Sequence, residues 1–530
     1  FVTETFKDIR LVGAPPSSIG KFGSDTDNWV WPRHTGDFSL FRIYADKNNR
    51  PAEYSKDNLP YKPKHFLPVS IAGVKENDFT MVMGYPGRTT EYLPAVAVEQ
   101  IVNDLNPAKI AVRDAALKVQ DSYMRKDNAI KIQYASKYAG VANYWKKWIG
   151  ETKGLKKSNA VALKRAGEQE FMKEVSKAGK QSQYGNLLTD FQKAYTEIAP
   201  YALARDYFSE VFLRNTELTT VGYRLYQLEQ VYNTKGEQAF TDRKDNMLKG
   251  MDGFYKDFNK EVDEKVFEQL LDIYLKKSPS QFTPAALKSI NPKSATTEIY
   301  NNSALTNLQG LTSLLTGDAK TVISRMNSDK GYQFIKSASE SYVNNVVPKY
   351  DEINLRIIGL QRNYMKAILE LNPDERIFPD ANSTLRVTYG KVKGYNPGDA
   401  IYYTPSTTLD GVMEKYIPGD YEFDVPKKLI DLYNAKDYGQ YGSNGKMPVC
   451  FIGTNHTTGG NSGSPAIDAS GNLIGLNFDR VWEGTMSDVY YDPEICRNIM
   501  VDMRYVLFII DKYAGAKHLV DEMKIVKGRK

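Results

Sequence analysis

At 530 residues the chain has room for two or three domains with substantial cores. Its 41% hydrophobic and 25% charged residues are ordinary for a soluble globular protein. The net charge of +6 is small and spread without a Lys/Arg block, so composition speaks against a nucleic-acid partner. The longest strongly apolar run, residues 505–510, is far too short to span a bilayer.

Residues 1–88 are rich in short β-like runs. Stretches 38–44, 67–71 and 79–83 read as strands, and the last ends in Gly84-Tyr85-Pro86-Gly87, which predicts a chain reversal. The chain opens without the basic and apolar regions of a signal peptide, and its start reads as mid-domain. From 89 to 375 the period is helical. Asn106-Pro107 predicts a helix start, an Asn cap before a Pro at the first helical position, with Ile110, Leu117 and Met124 following on a helical period. Val262, Val266, Phe267, Leu270, Leu271 and Tyr274 form a second apolar stripe. Ile353, Ile357, Leu360, Tyr364 and Ile368 form a third, closed by Asn372-Pro373. No fixed-period repeat occurs, which speaks against a solenoid. From 376 to 530 the β pattern returns in stretches 385–389, 449–452, 473–477 and 495–501, and Asp502 caps an apolar helix through Lys512. Each β-rich end looks incomplete alone, so the expectation is one split β domain with a helical insertion, divided as 1–88, 89–375 and 376–530.

The run Thr457-Thr458-Gly459-Gly460-Asn461-Ser462-Gly463-Ser464-Pro465 looks like the nucleophile loop of a chymotrypsin-type serine protease. Small residues on both sides of Ser462 allow a tight turn that presents the hydroxyl outward. The backbone N–H groups of Gly460 and Ser462 then form the oxyanion hole, and glycine at 460 permits a positive φ. A Gly-x-Ser-x-Gly pattern also fits the nucleophile elbow of α/β-hydrolases, but that needs a helix after the serine. Ser464-Pro465, a short strand and a Gly471-Asn472 turn speak against one. The bland alternative is a Ser/Gly turn without chemistry.

Such a serine needs a base and a carboxylate that orients it. Asp37 stands at the entrance to an alternating strand, in Trp31-Pro32-Arg33-His34-Thr35-Gly36-Asp37-Phe38. It either aims a carboxylate into a cleft or caps a turn. Four histidines occur, and none stands out as the base. His34 is too near Asp37 to sit between it and Ser462. His65 lies between Pro63 and Pro68 and reads as linker. His456 leads into the serine loop and reads as its support, and His518 follows the terminal helix. The two cysteines, Cys450 and Cys496, flank the serine loop and fit either a disulfide or two buried thiols. Their spacing gives no zinc signature.

Taken together, Asn28-Trp29, Trp31-Pro32-Arg33-His34-Thr35-Gly36-Asp37, Asn143-Tyr144-Trp145-Lys146-Lys147-Trp148 and Thr458-Gly459-Gly460-Asn461-Ser462-Gly463-Ser464-Pro465 resemble the bacterial dipeptidyl-peptidase 7/11 family of serine exopeptidases, over essentially the whole chain. The resemblance implies a chymotrypsin-like double β-barrel, its first barrel incomplete here, with a large α-helical domain inserted. It implies that Ser462 is the nucleophile and Asp37 the triad carboxylate. Asn28, Trp29, Asn143 and Asp479 would clamp the substrate's free α-amino group, and the insertion carrying Asn143 would close over the cleft as a lid. Arg480, eighteen residues after Ser462, is similar to the branch that requires Asp or Glu before the scissile bond. A guanidinium can meet that carboxylate bidentately. The bland alternative pairs Arg480 with Asp479 or Glu483 instead.

The resemblance implies no metal or cofactor, oligopeptide substrates, a homodimer, and a periplasmic or cell-surface place in a Gram-negative bacterium. The family's catalytic histidine lies in an N-terminal motif that has no counterpart here. The expectation is therefore that the chain starts after it, needs that missing N-terminal segment, and is inactive alone. Two alternatives stay open: a glutamyl endopeptidase-like protease of trypsin fold, and a non-catalytic peptide-binding pseudoprotease.

Overall fold

Strands from the two β-rich ends of the chain interleave in one sheet in the computed structural model, which describes residues 3–528. The N-terminal end supplies β1 (Ile9–Gly13), β2 (Leu40–Ala45), β3 (Leu59–Pro60), β4 (Val69–Ser70) and β5 (Phe79–Gly84). The C-terminal end supplies β6 (Arg386–Lys391), β7 (Tyr395–Gly398), β8 (Ile401–Tyr403), β9 (Ser406–Thr408), β10 (Pro448–Gly453), β11 (Ser464–Ile467), β12 (Leu473–Arg480), β13 (Asn498–Asp502) and β14 (Ile525–Val526). β1, β2 and β3 form a small antiparallel sheet. The larger sheet runs β6-β5-β11-β12-β13-β10-β9, with β4 and β14 attached. β5 lies between β6 and β11, with Phe79 opposite Lys391 and Ala466 opposite Val82. Its backbone hydrogen bonds are therefore satisfied only by strands from the far end of the chain.

Two compact units result, one of Phe1–Glu91 with Phe378–Lys530, the other of Tyr92–Ile377. In the first, β10 is buried along its whole length. Phe451 packs with Val82, Ala466, Ile474 and Met500, while Cys450 and Ile452 join a second cluster with Val501, Tyr505 and Leu507. Strands covered on both faces need such unbroken apolar runs. Asp502 caps the helix Met503–Phe508 by accepting the Arg504 N–H at 2.8 Å. In the second unit all six residues of the 262–274 stripe are buried on the helix Lys260–Lys277. The third stripe lies on Val347–Leu371, with Ile353 and Ile357 buried. No helix among the described residues is long and apolar enough to cross a membrane.

Several local expectations are corrected. Asn106 does not cap a helix: Ala95–Gln100 continues through a π-helical turn, Ile101–Leu105, into Asn106–Met124. Pro107 lacks an N–H and crowds the carbonyl four residues back, and a wider π turn just before it relieves both problems. Gly84-Tyr85-Pro86-Gly87 is not a tight reversal; the chain leaves β5 extended, and the Gly87 N–H donates to Gly459 O at 2.6 Å. The strand expected at 67–71 shrinks to β4, and that expected at 495–501 shifts to β13. Cys450 and Cys496 are free and buried, which settles the open alternative in favour of thiols; burial pushes each up to about 12.

Candidate active site

The serine loop is built around Asn461. Its side-chain carbonyl accepts the Thr458 N–H at 3.1 Å, and its backbone carbonyl accepts both Ser464 N–H (3.0 Å) and Asn477 Nδ2 (3.1 Å). The buried asparagine thereby ties the loop to β12. Gly460 has φ +103°, and a Cβ there would lie 2.4 Å from Tyr85 O. Only glycine fits this position. Ser462 is exposed at the turn, and its hydroxyl donates a long 3.4 Å bond to Phe478 O. The N–H groups of Gly460 and Ser462 have no acceptor among the described residues. Two uncommitted amides flanking an exposed hydroxyl are the donors an oxyanion needs.

β12 carries the next groups. Asp479 is fixed from three sides: Oδ2 accepts from Arg33 Nη1 at 2.8 Å and from the Trp29 N–H at 3.2 Å, and Oδ1 accepts from the Arg480 N–H at 2.8 Å. Arg33 is itself buried, bonding Asp27 O at 2.8 Å and Thr35 Oγ1 at 2.7 Å. Trp29 has φ +65°, strained for a bulky residue, and this brings its N–H onto the carboxylate. Asn28 precedes it. Asp37 reaches solvent and accepts no hydrogen bond among the described residues, so it caps no turn. Desolvation by the surrounding protein raises its pKa, with Arg33 opposing and Asp479 adding to the rise. Ser462, Asp37, Asn28, Trp29, Asp479 and Arg480 all belong to the β unit. Asn143 is carried by the helix Asn128–Lys157 of the other unit.

Arg480 is buried. Neither side-chain partner named in the bland alternative holds it: Glu483 instead accepts from Tyr395 OH at 2.9 Å, and Asp479 meets only the Arg480 backbone. Its guanidinium bonds Asp488 (Nη1 to Oδ1, 2.6 Å; Nη2 to Oδ2, 3.3 Å) and Ser487 Oγ (2.7 Å), and faces the Trp29 ring at 5.4 Å. Burial works against its charge, and Asp488 more than offsets this, raising the pKa. Sequence reasoning missed Ser487 and Asp488. They come from the 3₁₀ turn Trp482–Asp488, which folds back on the end of β12, and no local pattern announces that return.

Among the described residues no histidine is hydrogen-bonded to Ser462 or Asp37. His456 Nε2 meets Ser487 O at 2.6 Å and Nδ1 meets Arg386 Nη2 at 3.3 Å. A carbonyl only accepts and a guanidinium only donates, so the hydrogen sits on Nε2 and both nitrogens are committed. His34 is buried with its ring edge against Gly411, while His65 and His518 are exposed. Burial pushes His34 down to about 3 and His456 to about 4. Both are neutral when folded, yet an unfolded histidine binds a proton below about 6.5. Stability is therefore present near neutral pH and is lost as pH falls from about 6.5 toward 4. Each histidine contributes a slope of about 1.4 kcal/mol per pH unit in its window. Unfolding followed from pH 7.5 to 5 should show the sum of the two slopes, and His456→Gln should remove about half of it and leave that of His34; an unchanged slope would contradict the buried neutral imidazole of His456.

The family described as Peptidase S46 matches residues 1–525. The chain is 72% identical over 530 residues to an Asp/Glu-specific dipeptidyl-peptidase of Flavobacterium psychrophilum, covering 100% of this chain and 74% of that protein. It is 64% identical over 529 residues to an Asp/Glu-specific dipeptidyl-peptidase of Capnocytophaga gingivalis (99% and 74%). Against the dipeptidyl-peptidase 7 of Phocaeicola vulgatus it is 40% identical (99% and 73%). The crystal structure of Porphyromonas endodontalis DPP11 in complex with the dipeptide Arg-Glu superposes with a TM-score of 0.85 at 36% identity, covering 98% of this chain and 75% of that one. On a match that runs through almost all of its length, with a serine loop, uncommitted amides and a buried arginine in one unit, the chain belongs to the peptidase S46 family.

Proposed function

We propose that this protein is a serine dipeptidyl-peptidase that releases N-terminal dipeptides whose second residue is Asp or Glu, through an acyl-enzyme. One observation carries the reading. Phe478, whose carbonyl receives the Ser462 hydroxyl, and Arg480, a buried guanidinium, lie two residues apart on β12. β12 is irregular between Asn477 and Asp479, so the proximity rests on the Ser462–Phe478 bond itself, which sets the nucleophile against the short stretch of β12 that carries Arg480. An acidic side chain held by Arg480 therefore brings the adjoining carbonyl toward Ser462.

The substrate's ammonium docks on Asp479. Oδ1 accepts only one hydrogen bond and keeps a lone pair for it. Asn28 supplies a further amide oxygen in this reading, and Trp29 forms a wall. A clamp at a fixed distance from Ser462 limits the product to two residues. Ser462 Oγ attacks the carbonyl carbon and gives its proton to a base oriented by Asp37. The oxyanion is held by the N–H groups of Gly460 and Ser462. The C–N bond then breaks, the amine leaves with that proton, and water hydrolyses the ester.

The β unit is read here as a chymotrypsin-type double barrel, and the resemblance further supports a homodimer working in the periplasm or at the cell surface. The test is to acetylate the substrate's N-terminus. Cleavage of an Xaa-Glu peptide should drop at least a hundredfold, whereas equal cleavage of both forms would make the protein an endopeptidase.

A further inference from the structure

Arg480 has five N–H donors, and the structure commits three of them. Nη1 gives one hydrogen to Ser487 Oγ at 2.7 Å and one to Asp488 Oδ1 at 2.6 Å, and Nη2 gives one to Asp488 Oδ2 at 3.3 Å. The Nε–H and the second Nη2–H have no partner among the described residues. These two lie side by side on one edge of the planar group, and that edge matches a carboxylate.

The main chain that carries Asp488 is held in place. Its backbone carbonyl accepts the Thr90 N–H at 2.6 Å, and the preceding carbonyl, of Ser487, accepts His456 Nε2 at 2.6 Å. The 3₁₀ turn that presents both side chains is thus pinned at consecutive residues from two other segments, and Trp29 covers the guanidinium at 5.4 Å.

From this geometry we infer that Ser487 and Asp488 are positioning residues that hold the Nη1/Nη2 end of Arg480, so that an acidic substrate side chain is received on the Nε/Nη2 edge while Asp488 stays bound. Asp488 then also sets specificity. With its carboxylate in place the substrate meets a guanidinium whose charge is already balanced, so a second-residue Glu gains less over Gln than it would from an unpaired cation. This inference rests on the proposed Asp/Glu preference and adds to it the residue that tunes it.

The experiment compares kcat/KM for Xaa-Glu and Xaa-Gln substrates in the protein at its full natural length and in its Asp488→Asn variant. The unchanged protein is measured first; if it shows no preference for Glu, the reading of function fails before the variant is reached. With the preference present, Asp488→Asn keeps an acceptor for Nη1 and removes the counter-charge. The Glu/Gln ratio is expected to rise roughly ten- to hundredfold, mainly through KM on Glu. A merely structural role for Asp488 would lower both substrates together, and that parallel loss, or a fall in the ratio, overturns the inference. Should the variant not fold, a crystal structure of the unchanged protein with an Xaa-Glu dipeptide decides. The glutamate on Nε and Nη2 with Asp488 still on Nη1 supports the inference; Asp488 displaced, or the glutamate on the Nη1/Nη2 edge, overturns it.

Discussion

Replacing Arg480 by glycine is expected to lower kcat/KM for peptides with Asp or Glu in second position by about 10³-fold or more, while peptides with an apolar second residue lose less than about tenfold. A site built to bond a charged group discriminates strongly because its buried polar groups are left unpaired when the match is lost. Here the loss has two sources. The substrate carboxylate forfeits a bidentate partner. It also enters a pocket where Asp488, no longer neutralised at 2.6 Å by Nη1, is a bare like charge. An apolar side chain asks nothing of the guanidinium and is spared the first cost. Steady-state kinetics on a matched Glu/Leu substrate pair checks this; equal losses on both would remove Arg480 from the substrate pocket and leave it as structural support.

Asp37→Asn is expected to reduce kcat by on the order of 10⁴-fold with little change in KM. The reason lies in what Asp37 does not do. It reaches solvent, accepts no hydrogen bond among the described residues, and has a pKa raised by desolvation, which Arg33 opposes and Asp479 adds to. Such a carboxylate contributes little to the fold. It is suited to orient a base and to stabilise the positive charge that forms when the base takes the Ser462 proton. An amide there would hold the wrong tautomer and carry no charge. The thermal midpoint should stay level or rise slightly, since the desolvation cost of the charge and its repulsion from Asp479 are relieved while the attraction of Arg33 is lost. Activity within tenfold of the unchanged protein, or a clear drop in stability, would instead make Asp37 a local structural residue.

The residues of this site were legible in the sequence to the extent that their signal is local. The Gly-Asn-Ser-Gly-Ser-Pro run sits in contiguous residues, and its glycine at 460 has the positive φ that its place in the turn implied. The stripe from Val262 to Tyr274 was legible for the same reason, because helical spacing writes burial directly into the chain. What escaped depends on tertiary return. Arg33 meeting Asp479, and Asp488 with Ser487 meeting Arg480, join segments whose approach is set by the sheet order, and nothing near Arg480 marks Asp488 over Glu483 as its partner. Asn106-Pro107 misled because Asn-Pro is a capping signal in isolation. The same proline is tolerated inside a longer helix once a π turn has widened the preceding backbone. His456 read as loop support from sequence position alone, and its two committed nitrogens show the form of that support.

The central claim is that the protein counts two residues from a free amino terminus and cuts after an acidic one. The most direct measurement incubates the protein at its full natural length with a peptide of sequence Xaa-Glu-Xaa-Leu-Xaa-Asp, with Ser462→Ala as control, and identifies products by mass spectrometry over time. The intact dipeptide Xaa-Glu should be released first, the Leu–Xaa bond of the remaining tetrapeptide should then persist, and the control should release nothing. Internal cleavage that leaves the first two residues attached to a longer fragment, equal release of Xaa-Glu and Xaa-Leu, or undiminished activity in Ser462→Ala would contradict the account.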